Sequence, residues 1–237
     1  MSLSPTDRIF VALDTPDVNL AVSLAEKLRG HVGGVKLGME FYYANGPEGA
    51  ARVTEVGMPL FLDLKFHDIP NTVAGAVRST LALNPAILNV HAQGGPAMMQ
   101  AAAQALDDAG DDAKPLLIAV TVLTSLGDED LEAVGVQDGA ESQVVRLARL
   151  TQSCGLGGVV CSPREIAAIR DACGPDFKLV VPGIRPEWAA AGDQKRITTP
   201  AQAIRDGADY IVIGRPITGA DDPVDAAKRI ADELAGL

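Results

Sequence analysis

Eight times along this chain a short, almost wholly apolar run is followed by a segment with helical spacing. A strand that is apolar on both faces must be covered on both, and a helix after each strand returns the chain to start the next one parallel. The apolar runs are Arg8 to Leu13, Gly34 to Met39, Pro59 to Lys65, Ala86 to His91, Leu116 to Leu123, Gly158 to Cys161, Lys178 to Val181 and Tyr210 to Ile213. The helical segments between and after them are Asn19 to Arg29, Glu48 to Val56, Thr72 to Leu83, Pro96 to Ala109, Glu141 to Cys154, Pro163 to Ala172, Pro200 to Asp206 and Pro223 to Ala235. Eight such units predict an α/β protein, a single-domain (β/α)8 TIM barrel, with an open doubly wound sheet as the structural rival. Aromatic residues are only 4% of the chain, and the aliphatic palette suits helices packed on a parallel sheet. No Pro/Gly/Ser-rich linker interrupts residues 1–237, so one domain is expected. Local signals agree. Ser162-Pro163-Arg164-Glu165 reads as a helix start with a capping box, and Gly174 and Gly207 stand where helices should stop. The acidic stretch Gly127 to Asp130 reads as a loop.

In a barrel the C-terminal ends of the strands meet around one rim, where barrel enzymes do their chemistry. Polar residues gather there. Asp14 follows the first strand, Lys36 lies in the second, Asp63 and Lys65 close the third, and His91 closes the fourth. Thr124 and Ser125 follow the fifth, Gly183 and Arg185 the seventh, and Gly214 and Arg215 the eighth. The densest group is D-x-K-x-x-D, formed by Asp63, Lys65 and Asp68. Side chains on a strand alternate, which puts Asp63 and Lys65 on one face. A cation held between two anions has a fixed position and a fixed proton state, which suits proton delivery to carbon. A surface salt bridge at a strand end is the plain alternative. A second Lys–Asp set on neighbouring strands weighs against it, because buried charges are poor fold stabilisers.

The last two strands carry the makings of a phosphate cradle. Pro182-Gly183-Ile184-Arg185 and Gly214-Arg215-Pro216 combine glycines, which allow close backbone approach, with guanidinium groups able to bind phosphate bidentately. Gln194, in the loop Gly192 to Arg196, is placed to reach the same group or to be a plain loop residue. Neither a P-loop nor a dinucleotide fingerprint is present.

Other classes are disfavoured. The formal charge of −11 makes a general nucleic-acid binder a poor fit. No stretch of about 18 apolar residues could span a membrane. The start, Met1 to Arg8, lacks a signal-peptide core, so a cytoplasmic protein is expected. Cys154, Cys161 and Cys173 have no paired spacing and read as free thiols in a reducing compartment. His67 and His91 have no partner at metal-ligand spacing, so packing roles are expected for both. Asp107, Asp108, Asp111 and Asp112 read as a solvated helix end, and Trp188 as loop packing.

The motifs together resemble those of the orotidine 5′-phosphate decarboxylase family in its bacterial form. The matching pieces are VALD from Val11, VKLG from Val35, DLKFHDIPNT from Asp63 to Thr72 and VTVLTS from Val120. They continue with PGIRP from Pro182, GDQKR from Gly192 and IVIGRPIT from Ile211. They run in order over nearly the whole chain, and DLKFHDIPNT is the most specific of them. The resemblance implies a barrel homodimer without metal or organic cofactor. It implies conversion of orotidine 5′-phosphate to uridine 5′-phosphate and carbon dioxide, the last step of de novo UMP synthesis. By the same resemblance Lys65 is the proton donor and Asp63 and Asp68 are its flanking carboxylates. Asp68, Ile69 and Thr72 would complete the neighbouring subunit's site. Asp14 and Lys36 would contact the ribose, and Thr124, or Ser125 one place on, the pyrimidine. Arg185, Gln194, Gly214 and Arg215 would hold the phosphate, with Gly192 to Thr198 closing over it.

Two alternatives remain at this stage. One is a magnesium-dependent 3-keto-gulonate-phosphate decarboxylase or hexulose-phosphate synthase of the same barrel group. Those enzymes would be expected to carry an acidic metal ligand on the second strand, where this chain has Lys36. The other is a catalytically silent sensor of phosphorylated ligands, which the intact Asp63, Lys65 and Asp68 disfavour.

Overall fold

The computed structural model describes residues 3–110, 114–189 and 198–237. Its strands are β1 (Ile9–Ala12), β2 (Gly34–Gly38), β3 (Leu60–Phe66), β4 (Ile87–His91), β5 (Leu116–Val120), β6 (Gly158–Val160), β7 (Lys178–Pro182) and β8 (Tyr210–Ile213). All neighbours pair in parallel, and β8 pairs back onto β1 to close the barrel. The expected (β/α)8 architecture is the one observed, and the open sheet is ruled out by that closure. The helices are α1 (Val18–Leu28), α2 (Met39–Thr54), α3 (Pro70–Thr80), α4 (Gly95–Asp107), α5 (Asp128–Ala133), α6 (Gly139–Ser153), α7 (Ile166–Cys173), α8 (Pro200–Asp206), α9 (Arg215–Thr218) and α10 (Pro223–Ala235).

The helices form where side chains can satisfy their first turns and where an apolar stripe meets the barrel. Asp17 accepts the N–H groups of Asn19 and Leu20 at the head of α1, whose Ala21, Leu24, Ala25 and Leu28 are buried. Asp222 does the same for α10, which buries Ala226, Ala227, Ile230 and Leu234. Glu165 accepts the Ser162 N–H at 2.8 Å, as the capping pattern predicts, although the first turn there is 3-10 and α7 proper starts at Ile166.

Three local expectations are corrected. The second helix starts at Met39, not Glu48, and runs through a break at Gly46, where φ is +64° and Pro47 follows. Proline has no N–H to continue the ladder, so the sequence reads as a helix start when it is a kink. The acidic stretch expected as a loop opens α5, because Asp130 accepts the Gly127 N–H at 2.8 Å and acidic groups favour a helix N-terminus. The fifth strand ends at Val120, three residues early.

Inside the barrel, Phe10, Ala12, Phe61, Ile87, Ile118, Val180 and Val212 form one apolar cluster. Phe10 packs edge-on against Phe61 and Tyr210, with ring centroids 6.3 and 5.6 Å away. Gly34 makes room for this plug, since a Cβ there would lie 2.5 Å from the Phe10 ring and from the Pro59 carbonyl. The opposite strand faces look outward into a larger cluster shared with the helices. At the N-terminal face, Arg170 donates to the carbonyls of Gly174, Phe177 and Gly207 and pairs with Asp209, which also binds Lys178. These charges are spent on backbone groups at the closed end of the barrel. At the open end the charges face one another.

Gly158 shows how tight the wall is. A Cβ there would lie 2.3 Å from the Lys178 carbonyl oxygen and 2.8 Å from the Lys178 Cβ, across the β6–β7 seam. Gly158→Ala should therefore destabilise the fold by about 1–3 kcal/mol, read as a lower urea midpoint at unchanged m-value. A midpoint equal to that of the parent protein would show that the seam can open without loss.

Candidate active site

β3 does not end as a regular strand. Phe61 and Leu62 pair with Ile87 and Leu88, but the next pairing is Phe66 with Val90. Asp63, Leu64 and Lys65 thus stand opposite Asn89 alone, and the chain bulges toward the barrel mouth. Lys65 takes φ of +52°, a left-handed conformation that costs a residue with a Cβ about 1–2 kcal/mol. Strand alternation was the expected reason for Asp63 and Lys65 to meet. They do meet, with Lys65 Nζ 2.7 Å from Asp63 Oδ1, but a bulge brings them together.

Around Asp63 the charges alternate in sign. Lys36 Nζ lies 3.0 Å from Asp14 Oδ1 and 3.5 Å from Asp63 Oδ2. Gly38 is part of this arrangement, since a Cβ there would sit 3.0 Å from Lys36 Nζ and 3.4 Å from Asp14 Oδ1. Lys36 and Asp63 are buried, whereas Asp14 opens to solvent. Burial alone would raise the Asp63 pKa. The ammonium groups of Lys36 and Lys65, with hydrogen bonds from Lys65 and Asn89, outweigh it and hold the carboxyl below its ordinary range.

Asn89 was not singled out by sequence reasoning. Its side chain donates to Asp63 Oδ1 at 2.7 Å and accepts the Lys65 backbone N–H at 2.8 Å. The available signal was a lone amide within the apolar run Ile87-Leu88-Asn89-Val90.

The cleft over these groups has two contiguous halves. One, of about 220 Å³, is lined by Lys36, Asp63, Lys65, Thr124, Cys161 and apolar residues of β3, β5, β6 and β8. The other, of about 300 Å³, is lined by Asp14, Lys36, Gly183, Arg185, Gly214 and Arg215 among others. Lys36, Pro182 and Val212 line both. Gly183 has φ of +78°, a turn that favours glycine and lets the chain leave β7 sharply. The Arg185 N–H donates to the Thr198 carbonyl at 3.1 Å, tying the far side of that connection to the cleft wall. Thr124 lines the smaller half and Ser125 does not. Gln194 lies outside the described residues, as does the Gly192 to Thr198 segment apart from Thr198 itself.

Asp68, Ile69 and Thr72 are not brought into this cleft. All three are exposed, Ile69 at 67%, and the Asp68 carboxylate accepts the Ile69 N–H at 2.7 Å. Among the described residues Asp68 makes no ion pair with Lys65. His67 and His91 stack on each other, ring centroids 5.2 Å apart, and His91 Nδ1 is buried without a hydrogen-bond partner. Burial, with positive charge from His67 and Lys65 nearby, pushes the His91 pKa down to about 4. Trp188 packs under the Arg229 guanidinium, 4.1 Å from ring centroid to Cζ.

The profile described as "Orotidine 5'-phosphate decarboxylase / HUMPS family" matches residues 7–230. A relative named orotidine 5′-phosphate decarboxylase from Paramagnetospirillum magneticum is 55% identical over 229 residues, 95% of this chain and 97% of its own length. One of the same name from Rhodospirillum rubrum is 56% identical over 232 residues, 96% of this chain and 94% of its own. The crystal structure of orotidine 5′-phosphate decarboxylase from Lactobacillus acidophilus superposes with a TM-score of 0.84 at 36% identity. That match covers 95% of this chain and 98% of the other.

The depressed His91 pKa has a consequence for stability. The unfolded chain binds this proton with an ordinary pKa near 6.5, well above the folded value. Its contribution to stability is complete above pH ~6.5 and is lost as pH falls through about 4. His91→Gln should flatten the decline of the urea midpoint between pH 6.5 and 4.5, and an unchanged slope would remove His91 as its source.

Proposed function

The chain belongs to the orotidine 5′-phosphate decarboxylase / HUMPS family, and we propose that it converts orotidine 5′-phosphate to uridine 5′-phosphate and carbon dioxide. The observation that carries the reading is the alternation of Asp14, Lys36, Asp63 and Lys65 at the mouth of the barrel, centred on the buried Lys36 and Asp63, with arginines in the adjoining half of the cleft.

Loss of carbon dioxide from the pyrimidine's sixth carbon leaves an electron pair in an in-plane sp² orbital. The ring π-system overlaps poorly with that orbital, so the stabilising charge must come from the site. In this reading the Lys65 ammonium lies against the carbon, stabilises the developing carbanion and then donates its proton. The new C–H bond forms as the N–H bond breaks, leaving a neutral amine that solvent reprotonates. Asp63 fixes the direction of the Lys65 ammonium beforehand. Lys36 and Asp14 serve the ribose hydroxyls, and Thr124 an edge of the base. Arg185, Gln194, Gly214 and Arg215 hold the phosphate, whose binding energy can be used to position the distant ring.

Asp68, Ile69 and Thr72 have their place in this reading across a two-fold dimer interface, where they complete the partner's site. Their exposure in the single chain supports that, as does the exposed apolar side chain of Ile69. Lys36 argues against the magnesium-dependent alternative, since an ammonium at the second-strand position repels a divalent cation. Among the described residues no helix is long and apolar enough to cross a membrane, and a cytoplasmic enzyme of pyrimidine biosynthesis is the proposed setting.

The deciding assay follows the loss of orotidylate ultraviolet absorbance. The protein should turn over orotidine 5′-phosphate with and without chelator, and Lys65→Ala should lose at least about 1,000-fold in kcat. Retention of more than about a tenth of the activity would remove Lys65 as proton donor. Arg215→Ala should raise KM for the phosphorylated substrate far more than for orotidine, and equal losses would remove Arg215 from the phosphate site.

A further inference from the structure

We infer that Asn89 is a positioning residue for the reaction: its carboxamide sets the bulge that presents Lys65 and orients the Asp63 carboxylate that aims the ammonium. This rests on the decarboxylase reading and adds a component to it.

The register fixes the problem that Asn89 solves. Three residues of β3 face one of β4, so the regular ladder has no carbonyl for the Lys65 N–H. The Asn89 side-chain oxygen takes that place at 2.8 Å. Chemistry settles which way the amide points. An N–H can be accepted only by the oxygen, and an ionised carboxylate can be met only by the amide nitrogen. The nitrogen accordingly lies 2.7 Å from Asp63 Oδ1. That same oxygen accepts Lys65 Nζ at 2.7 Å. One buried side chain therefore touches both ends of the pair, the backbone of the lysine and the carboxylate that receives its side chain.

Asn89 suits this position better than its obvious substitutes. It is fully buried on the strand beside the site. A lysine or arginine would place a third cation beside Asp63 and compete with Lys65 for it. An aspartate would accept the backbone N–H but set a second anion against Asp63. A leucine would leave the Lys65 N–H buried without a partner and free the bulge to relax toward regular pairing. Only a neutral group that both donates and accepts satisfies the two neighbours together. Asn89 does not line the cleft, so its action on the substrate passes through Lys65.

The test separates direction of the ammonium from general damage. Asn89→Leu removes both hydrogen bonds, and Asn89→Asp keeps the acceptor while inverting the interaction with Asp63. Each should lower kcat by about 100-fold, the scale of an ångström of misplacement at a reacting centre. KM for orotidine 5′-phosphate and the dissociation constant for UMP should stay within about threefold, because the phosphate half of the cleft is untouched. Acetic anhydride labelling of Lys65, read by mass spectrometry in protein without substrate, should rise several-fold in Asn89→Leu as the ammonium is released from Asp63, and should fall in Asn89→Asp, where a second anion stands beside the amine. Should Asn89→Leu fail to fold, the isosteric Asn89→Asp carries the test alone. Folded variants with kcat within threefold of wild type, or with kcat and UMP affinity falling together, overturn the inference. So does unchanged Lys65 labelling. A wild-type protein inactive on orotidine 5′-phosphate would defeat the decarboxylase reading, and the labelling result would still decide whether Asn89 holds Lys65.

Discussion

The Asp63 carboxylate is the interaction on which the open end of this barrel depends. A buried carboxyl with no cation nearby takes up a proton, and a buried ammonium with no anion gives one up. Here the two neighbouring ammonium groups keep the Asp63 carboxyl ionised against the cost of its burial. Lys36 and Lys65 lie on opposite oxygens of one carboxylate, and Asp14 balances Lys36 from the solvent side. Such a cluster is a poor way to stabilise a fold, since apolar residues of similar size would pack as well without desolvating ions. Its value is that proton states and directions are settled before a ligand arrives. Under the proposed decarboxylation, which needs an ammonium at one carbon, that settling would be the catalytic device.

The rest of the barrel can be understood as keeping this cluster rigid. Below it, Phe10, Phe61 and Tyr210 fill the interior with edge-on rings, leaving little freedom for β3 to shift. At the far face, Arg170 and Asp209 spend their charges on backbone groups between α7, β7 and β8. The two ends of one fold thus use ions in opposite ways. At the closed end they satisfy the chain, and at the open end they leave Lys65 facing a cleft.

The barrel was legible because its signal is repetitive, and eight apolar runs survive errors of a few residues at their ends. The charged motif was legible because charge at the end of an apolar strand is conspicuous. Its geometry was not. Strand alternation places Asp63 and Lys65 together for the wrong reason, because a bulge depends on the partner strand and leaves no mark in β3 itself. Asn89 was missed for a related reason: an amide within an apolar strand gains meaning only once the register shows what it faces. The kink in α2 was missed because Gly46-Pro47 ends a helix more often than it bends one.

Charge also bears on how an acidic protein admits an acidic ligand. The chain carries a formal charge of −11, and orotidine 5′-phosphate brings a phosphate and a carboxylate. At physiological ionic strength, charges more than about 8 Å apart across solvent are largely screened, so the distant acids of the helical surface add little repulsion at the cleft. The field there is set by neighbours within that distance. Arg185 and Arg215 line one half, Lys65 the other, and Lys36 lines both. Among the described residues that line the smaller half, Asp63 is the carboxylate that the carboxylate of such a ligand would have to approach, and it is already held by two ammonium groups. Removing either cation would therefore do more than delete an attraction. It would uncover a buried anion at the point where the ligand's own anion must sit, so Lys36 and Lys65 should be strongly non-additive in any pairwise mutational cycle.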